Sequence, residues 1–200
     1  MSGLRERQKE QRKEAILVSA MQLFDANGYA STTVEQIAAG AGVSAPTVFN
    51  YFGSKQEILL SLVERAERKG ISEAQIELDQ YDNAVDAICA LHTIMTVREL
   101  ETLPITIWRE LMSQSFDPAV SKEIMAINAR TAREILIILE QLKGRGLINA
   151  TVDLEFVANF MTDFSTMIFA RLVQTEEVDF QAFEFYSRKA TEMVFGGLHP

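Results

Sequence analysis

An all-α fold is predicted for this chain, and three observations predict it. Apolar residues recur at helical spacing from Ile16 onward, and no stretch shows the strict alternation of a half-buried strand. Capping residues, among them Ser44, Ser54, Asp117, Asp153 and Asp179, stand just before those apolar runs. Glycines stand where the runs stop, at Gly28, Gly53, Gly144, Gly146, Gly196 and Gly197. With 200 residues, 48% of them hydrophobic, the chain can bury one good core or two small ones.

In chain order, residues 2–14 mix five basic and three acidic side chains. A helix there would be laced by i,i+4 pairs, serving either as an arm toward nucleic acid phosphate or as a solvated extension. Ala15 to Ala26 reads as an amphipathic helix, with Ile16, Ala20, Leu23 and Phe24 on one stripe.

The stretch from Thr32 to Lys55 organises the rest. Thr32 can cap a short helix with Glu35 as the reciprocal partner of a capping box. Val34, Ile37 and Ala38 give that helix a small buried face, and Gly40 and Gly42 end it. Gly42 can take the positive φ of a tight turn. Ser44 then caps a second short helix with Pro46 in its first turn, and Gly53 ends it. Ser54 and Glu57 form a further capping box before a longer helix, Lys55 to about Gly70.

Two short helices around a glycine-containing turn make a helix-turn-helix, which presents its second helix to the DNA major groove. Ala45, Pro46, Thr47, Phe49 and Asn50 are the candidates to face bases. Asn can pair bidentately with adenine, and Thr can meet a base edge or a thymine methyl. Thr33, Tyr51 and Lys55 are the candidates for phosphate, helped by free N–H groups at the capped helix starts, and Ser44 is a further DNA-binding candidate.

These residues closely resemble the TetR family of bacterial regulators. The resemblance runs from about Ile16 to Leu60 and covers about a quarter of the chain. It includes Phe24, Gly28-Tyr29, Thr32-Thr33-Val34, Ile37-Ala38, Ala41-Gly42-Val43-Ser44, Thr47, Tyr51-Phe52 and Lys55. Phe49 departs from it, standing where the family usually has Tyr. The resemblance implies a DNA-binding head, here residues 1–54, followed by a ligand-binding and dimerising bundle, residues 55–200.

Charge divides along the same line. Formal net charge is −9, yet residues 1–55 hold six Lys/Arg against five Asp/Glu. The acidic excess therefore lies after the head, where it would repel DNA and leave one end able to approach it, or simply solubilise the surface.

Beyond the head, helices are predicted over about Asn83–Glu101, Pro104–Ser115, Pro118–Lys143, Asp153–Gln174 and Asp179–Phe195. The fourth of these is apolar on nearly every side, so one side should meet the core and another a second subunit. Phe160, Met167, Phe169, Phe183 and Tyr186 are the candidate dimer residues, and the resemblance implies the same, since family members dimerise through their last two long helices.

His92, Met95, Trp108, Met112, Phe116, Asn128, Thr131 and Phe164 combine bulky adaptable walls with a few polar groups, the make-up of a small-ligand pocket. The ligand would be hydrophobic or amphipathic, and the resemblance implies a pocket in this region.

Enzyme chemistry finds little support. Cys89 and His92 share a helix face, but no further ligand or acidic partner is placed by spacing, and His199 is terminal. Gly40-x-Gly42 lacks the third glycine and the preceding strand of a dinucleotide loop. No cofactor or metal is expected. The single cysteine allows no internal disulfide, and the charged N-terminus is no signal peptide. The longest apolar runs, such as Ile135 to Leu139, look too short to span a bilayer, so a cytoplasmic location is expected.

The expectation is a DNA-binding regulator, in the first instance a repressor that binds a palindromic operator as a homodimer and is released by a small ligand. The alternatives are a constitutive DNA-binding dimer, or a helical enzyme or carrier with a vestigial head.

Overall fold

The computed structural model describes residues 2–196, and these form nine α-helices with one short 3-10 turn and no strand. The helices are α1 (Ser2–Asn27), α2 (Val34–Gly40), α3 (Ala45–Phe52), α4 (Lys55–Glu77) and α5 (Ala84–Thr102), followed by α6 (Ile105–Ser113), α7 (Pro118–Gly144), α8 (Leu154–Gln174) and α9 (Phe180–Gly196). Gly197 and His199 lie outside the described residues.

Helices α1 to α3 pack as a small head. Ile16, Ala20, Phe24, Ile37, Val48 and Phe52 fill its centre together with Ile58 and Leu59 of α4. The predicted charged extension and the amphipathic helix after it are one continuous helix, α1. Arg65 of α4 grips Glu14 of α1 through two hydrogen bonds of 2.7 and 2.8 Å. Both side chains are exposed, so this pair adds little stability, and the apolar core sets how α1 packs on α4.

Two starts differ from the sequence expectation. The cap of α2 is Thr33, not Thr32, and its box partner is Gln36, not Glu35. Thr33 Oγ1 accepts from the Gln36 N–H at 3.2 Å, and Gln36 Oε1 accepts from the Thr33 N–H at 2.8 Å. Thr32 is buried instead, with its hydroxyl directed at the carbonyls of Gly28 and Leu23. At α4, Ser54 Oγ accepts from the Glu57 N–H, while the Ser54 N–H donates to the Phe52 carbonyl rather than to Glu57. The caps at Ser44, Asp153 and Asp179 form as expected, and Asp117 accepts from the Val120 N–H.

Gly70 does not end α4. The helix runs on to Glu77, and Gly70 marks where α4 crosses α5 at close range. A Cβ at position 70 would stand 2.8 Å from the Met95 Cα. Backbone cannot swing away as a side-chain tip can. Gly70→Ala is therefore expected to destabilise the protein by about 1–3 kcal/mol, despite alanine's better helix propensity. A urea melt reads this directly, and an unchanged or raised midpoint would remove the crossing as the reason for glycine.

The body is a bundle of α4 to α9. One apolar cluster runs without a break from the head into it, from Phe24 and Phe52 through Leu62 and Val63 to Trp108, Leu111, Ile127 and Phe169. A second fills the far end, around Ile88, Leu91, Ile138, Leu139 and Met161. Arg109 donates to the carbonyls of Val173 and Thr175, and Arg145 to those of Leu78 and Tyr81, so two helix ends lacking internal partners are closed by guanidinium groups.

Helix α8, 21 residues with a mean hydropathy of 1.2, is long and apolar enough to cross a membrane by length and composition, contrary to the expectation from the shorter runs. It packs here against α6, α7 and α9.

Candidate DNA-binding face and buried acidic cavity

The turn between α2 and α3 is built as its residues require. Gly42 sits at φ +67°, and the Val43 N–H reaches back to the Ala38 carbonyl at 3.0 Å. Val48 and Phe52 anchor one side of α3 in the head core. Ser44, Pro46, Phe49 and Asn50 are exposed, and Ala45, Thr47 and Tyr51 are partly so. No hydrogen bond within the protein occupies the Asn50 carboxamide among the described residues, which leaves it free to read an edge. Ser44 Oγ and Thr47 Oγ1 are 2.8 Å apart and share one hydrogen, so the two hydroxyls act as a unit.

Lys55 is placed differently from the expectation. Its ammonium donates to the carbonyls of Tyr29 at 2.7 Å and Thr32 at 2.8 Å, and stands 4.3 Å from the centre of the Tyr29 ring. The charge is used inside the head, where it ties the loop before α2 to the start of α4. Thr33, by contrast, is exposed at the start of α2.

The pocket residues divide. Met95, Trp108, Met112, Asn128 and Thr131 line one cavity of about 50 Å³. Phe116 does not, being 94% exposed on the loop before α7. His92 does not either. It is fully buried between α5 and α9, with Nδ1 2.8 Å from Ser187 Oγ and Nε2 unpartnered, and burial pushes it down to about 4. Phe164 packs with Ile168, Leu172 and Phe183 rather than in the cavity wall. Cys89 makes no catalytic pair with His92, whose ring bonds Ser187, and among the described residues no cluster could hold a metal ion.

The dimer candidates divide as well. Phe160, Met167 and Tyr186 are exposed, at 39%, 45% and 48%. Phe169 and Phe183 are buried. Phe169 turns inward and meets the Trp108 ring edge-on at 4.8 Å, so it belongs to the cavity wall and not to an outer face.

Two wall residues were missed from sequence, Glu67 of α4 and Glu99 of α5. Both side chains are half-buried and line the cavity. Burial pushes Glu67 up to about 7. Its hydrogen bond from the Thr131 hydroxyl, at 2.7 Å, pulls the other way, nearby Glu64 adds to the rise, and Arg130 opposes it. Burial, and then the Glu67 charge, push Glu99 well above the ordinary carboxylate range. The signal was present: Glu67 lies four residues from both Val63 and Ile71, and Glu99 four from Met95, on otherwise apolar stripes.

Residues 16–62 match the family described as bacterial regulatory proteins, tetR family. Over those residues this chain is similar to the TetR family. Among curated relatives, the regulator EthR of Mycolicibacterium smegmatis is 36% identical over 81 residues, which is 40% of this chain and 34% of that protein. TcmR of Streptomyces glaucescens is 42% identical over 59 residues, 30% of this chain and 26% of that one. The chain thus spans about a third or less of those two relatives. The repressor NicS of Pseudomonas putida is 26% identical over 149 residues, covering 73% and 70% of the two chains. The structure of FadR from Thermus thermophilus, a TetR-family repressor in complex with lauroyl-CoA, superposes with a TM-score of 0.75 at 20% identity, over 94% of this chain and 95% of that one. At that identity the likeness establishes the all-helical TetR-like fold.

Proposed function

We propose that this protein is a DNA-binding transcriptional regulator, a repressor that binds a palindromic operator as a homodimer and is released by a small molecule entering the Trp108 cavity. The observation that carries the reading is the placement of α4. Its first turn follows the presented helix α3 directly, and twelve residues further on its Glu67 forms part of the cavity wall. At 1.5 Å per residue the two ends of that lever are about 18 Å apart. The apolar cluster packed along it joins Phe52 to Trp108 without a gap. A ligand that shifts α4 therefore shifts the head, and it acts only as far as it prefers the DNA-incompetent arrangement.

The relatives support the same reading, since NicS and Thermus thermophilus FadR are both described as repressors. The cavity as it stands has room for a few water molecules, far below the roughly 300 Å³ of a drug-sized site. That favours a second reading, a constitutive DNA-binding dimer. Met95 and Met112 are the wall residues able to yield, because methionine has three soft rotations. The paired acids suggest an enzyme or carrier less well, because the wall holds no His, Cys, Lys or Arg to work with them.

Selection of bound DNA from a random pool tests the head. A palindrome with half-sites about one helical turn apart, ~34–36 Å, or a multiple of it, is expected. Asn50→Ala should cost about 1–3 kcal/mol and relax preference at one position per half-site. If both affinity and the selected sequence survive that change, Asn50 reads no base.

A further inference from the structure

The cavity wall is asymmetric in charge. Its two ionisable groups are both carboxyls, and the rest of the wall is apolar, hydroxyl or amide. Thr131 Oγ1 donates to Glu67 Oε2. The Glu99 side chain is half-buried, borders the free space and makes no hydrogen bond among the described residues. A carboxyl without a hydrogen-bond partner beside an apolar cavity is an arrangement that a bound cation would stabilise. The Trp108 and Phe169 rings of the same wall supply aromatic surface, which also attracts cations, and the Trp108 Nε1–H donates to the Glu99 carbonyl at 3.1 Å. Arg130 is directed at Glu64 at 3.2 Å and stands outside the wall, so it offsets Glu67 only in part and leaves Glu99 unpaired.

We propose that this cavity takes a lipophilic amine, bound as its cation against Glu99 and Glu67 with its apolar part between Trp108, Phe169 and the methionines. The proposal rests on the cavity being the effector site. It also separates this chain from the fold neighbours solved with lauroyl-CoA and stearoyl-CoA, whose phosphates carry the opposite charge. An anionic head group in this cavity would meet two acids and no base.

Binding has a proton balance. The amine enters already protonated, with an ordinary pKa near 10.4, and the acid that faces it ionises. About one proton per bound amine therefore passes to the buffer at pH 6.

The test uses three probes of equal chain length, octylamine, octanol and octanoate, titrated into the full-length protein with and without the selected operator. Trp108 fluorescence reports entry, and calorimetry in two buffers of different ionisation enthalpy counts protons. Octylamine should bind roughly 10- to 100-fold more tightly than octanol, the range for a hydrogen bond to a charged partner. Octanoate should bind weakest. Glu99→Gln should abolish the amine's advantage and its proton release while octanol binding persists. That variant also controls for attraction of cations to the acidic surface, which it leaves intact. Equal binding of amine and alcohol, or tightest binding of octanoate, overturns the proposal. If octanol still loosens operator under that outcome, the effector reading survives alone. No Trp108 response to any probe overturns both.

Discussion

Replacing Glu67 by Gln is expected to leave stability nearly unchanged at pH 4 and to raise it by about 3 kcal/mol at pH 8. The carboxyl is pushed from an ordinary value of 4.5 up to about 7, chiefly by burial. The folded protein thus holds this proton more tightly than the unfolded chain does. The stabilisation from that proton is complete below about pH 4.5 and is lost as pH rises through about 7. Glutamine keeps the shape and the acceptor for Thr131 but never ionises, so the variant escapes the loss.

His92 works in the opposite sense. Burial lowers it to about 4, so its contribution is complete above the ordinary value of 6.5 and is lost as pH falls through about 4. Between pH 4.5 and 6.5 the falling contributions of Glu67 and Glu99 outweigh the rising one of His92, so the parent protein should lose stability as pH rises. In the Glu67→Gln protein only Glu99 and His92 oppose each other, and the profile should be nearly flat over that interval. The Glu99 decline continues in both proteins as pH rises further. Urea midpoints for both proteins at four pH values decide the matter. A difference that does not vary with pH would mean Glu67 is already solvated or ion-paired.

The head was legible in the sequence because its instructions are local. Caps, the Gly42 turn and the Gly53 stop each act within a few residues, and each is read from a few letters. A slip there, Thr32 for Thr33, has a physical cause. Both residues can cap, and what distinguishes them is that the Thr32 side chain is enclosed by the end of α1, a tertiary fact. The body was legible as helices but not as faces. On α8 an apolar all-round pattern shows that every side is covered by something, not by what. Phe169 and Met167 are two residues apart, yet one meets Trp108 and the other faces outward. Gly70 could be read as a stop or a crossing, and only the position of Met95 separates them. Glu67 and Glu99 were passed over because carboxyls are ordinarily solvated, and their position on apolar stripes was the signal against it.

Phe160→Glu is expected to turn a dimer into a monomer and to lower operator affinity by about 10²- to 10⁴-fold. Phe156, Phe160 and Met167 follow helical spacing along α8, and Phe185, Tyr186 and Met193 stand exposed on its neighbour α9. The rings of Phe156, Phe160 and Phe164 stack in sequence at 6.2 and 6.1 Å, forming a ridge. So many exposed large side chains on two adjacent helices are unusual for a monomer, and a second copy of the same face is the simplest cover. A stable interface of this kind buries about 1,200–2,000 Å² in total. A carboxylate at position 160 would have to be desolvated within it, unpaired. The affinity loss follows because a palindromic site binds two linked heads, and a monomer forfeits the second as an intramolecular event. Phe169→Glu would not make the same test, since it places the charge against Trp108 and damages the core. Phe169→Ala serves as the contrast: about 3–5 kcal/mol of lost stability with the assembly unchanged. Sedimentation of the parent and both variants at micromolar concentration, beside operator titrations, separates the two effects. A parent protein that sediments as a monomer while still binding the full palindrome tightly would show that this ridge serves some other partner.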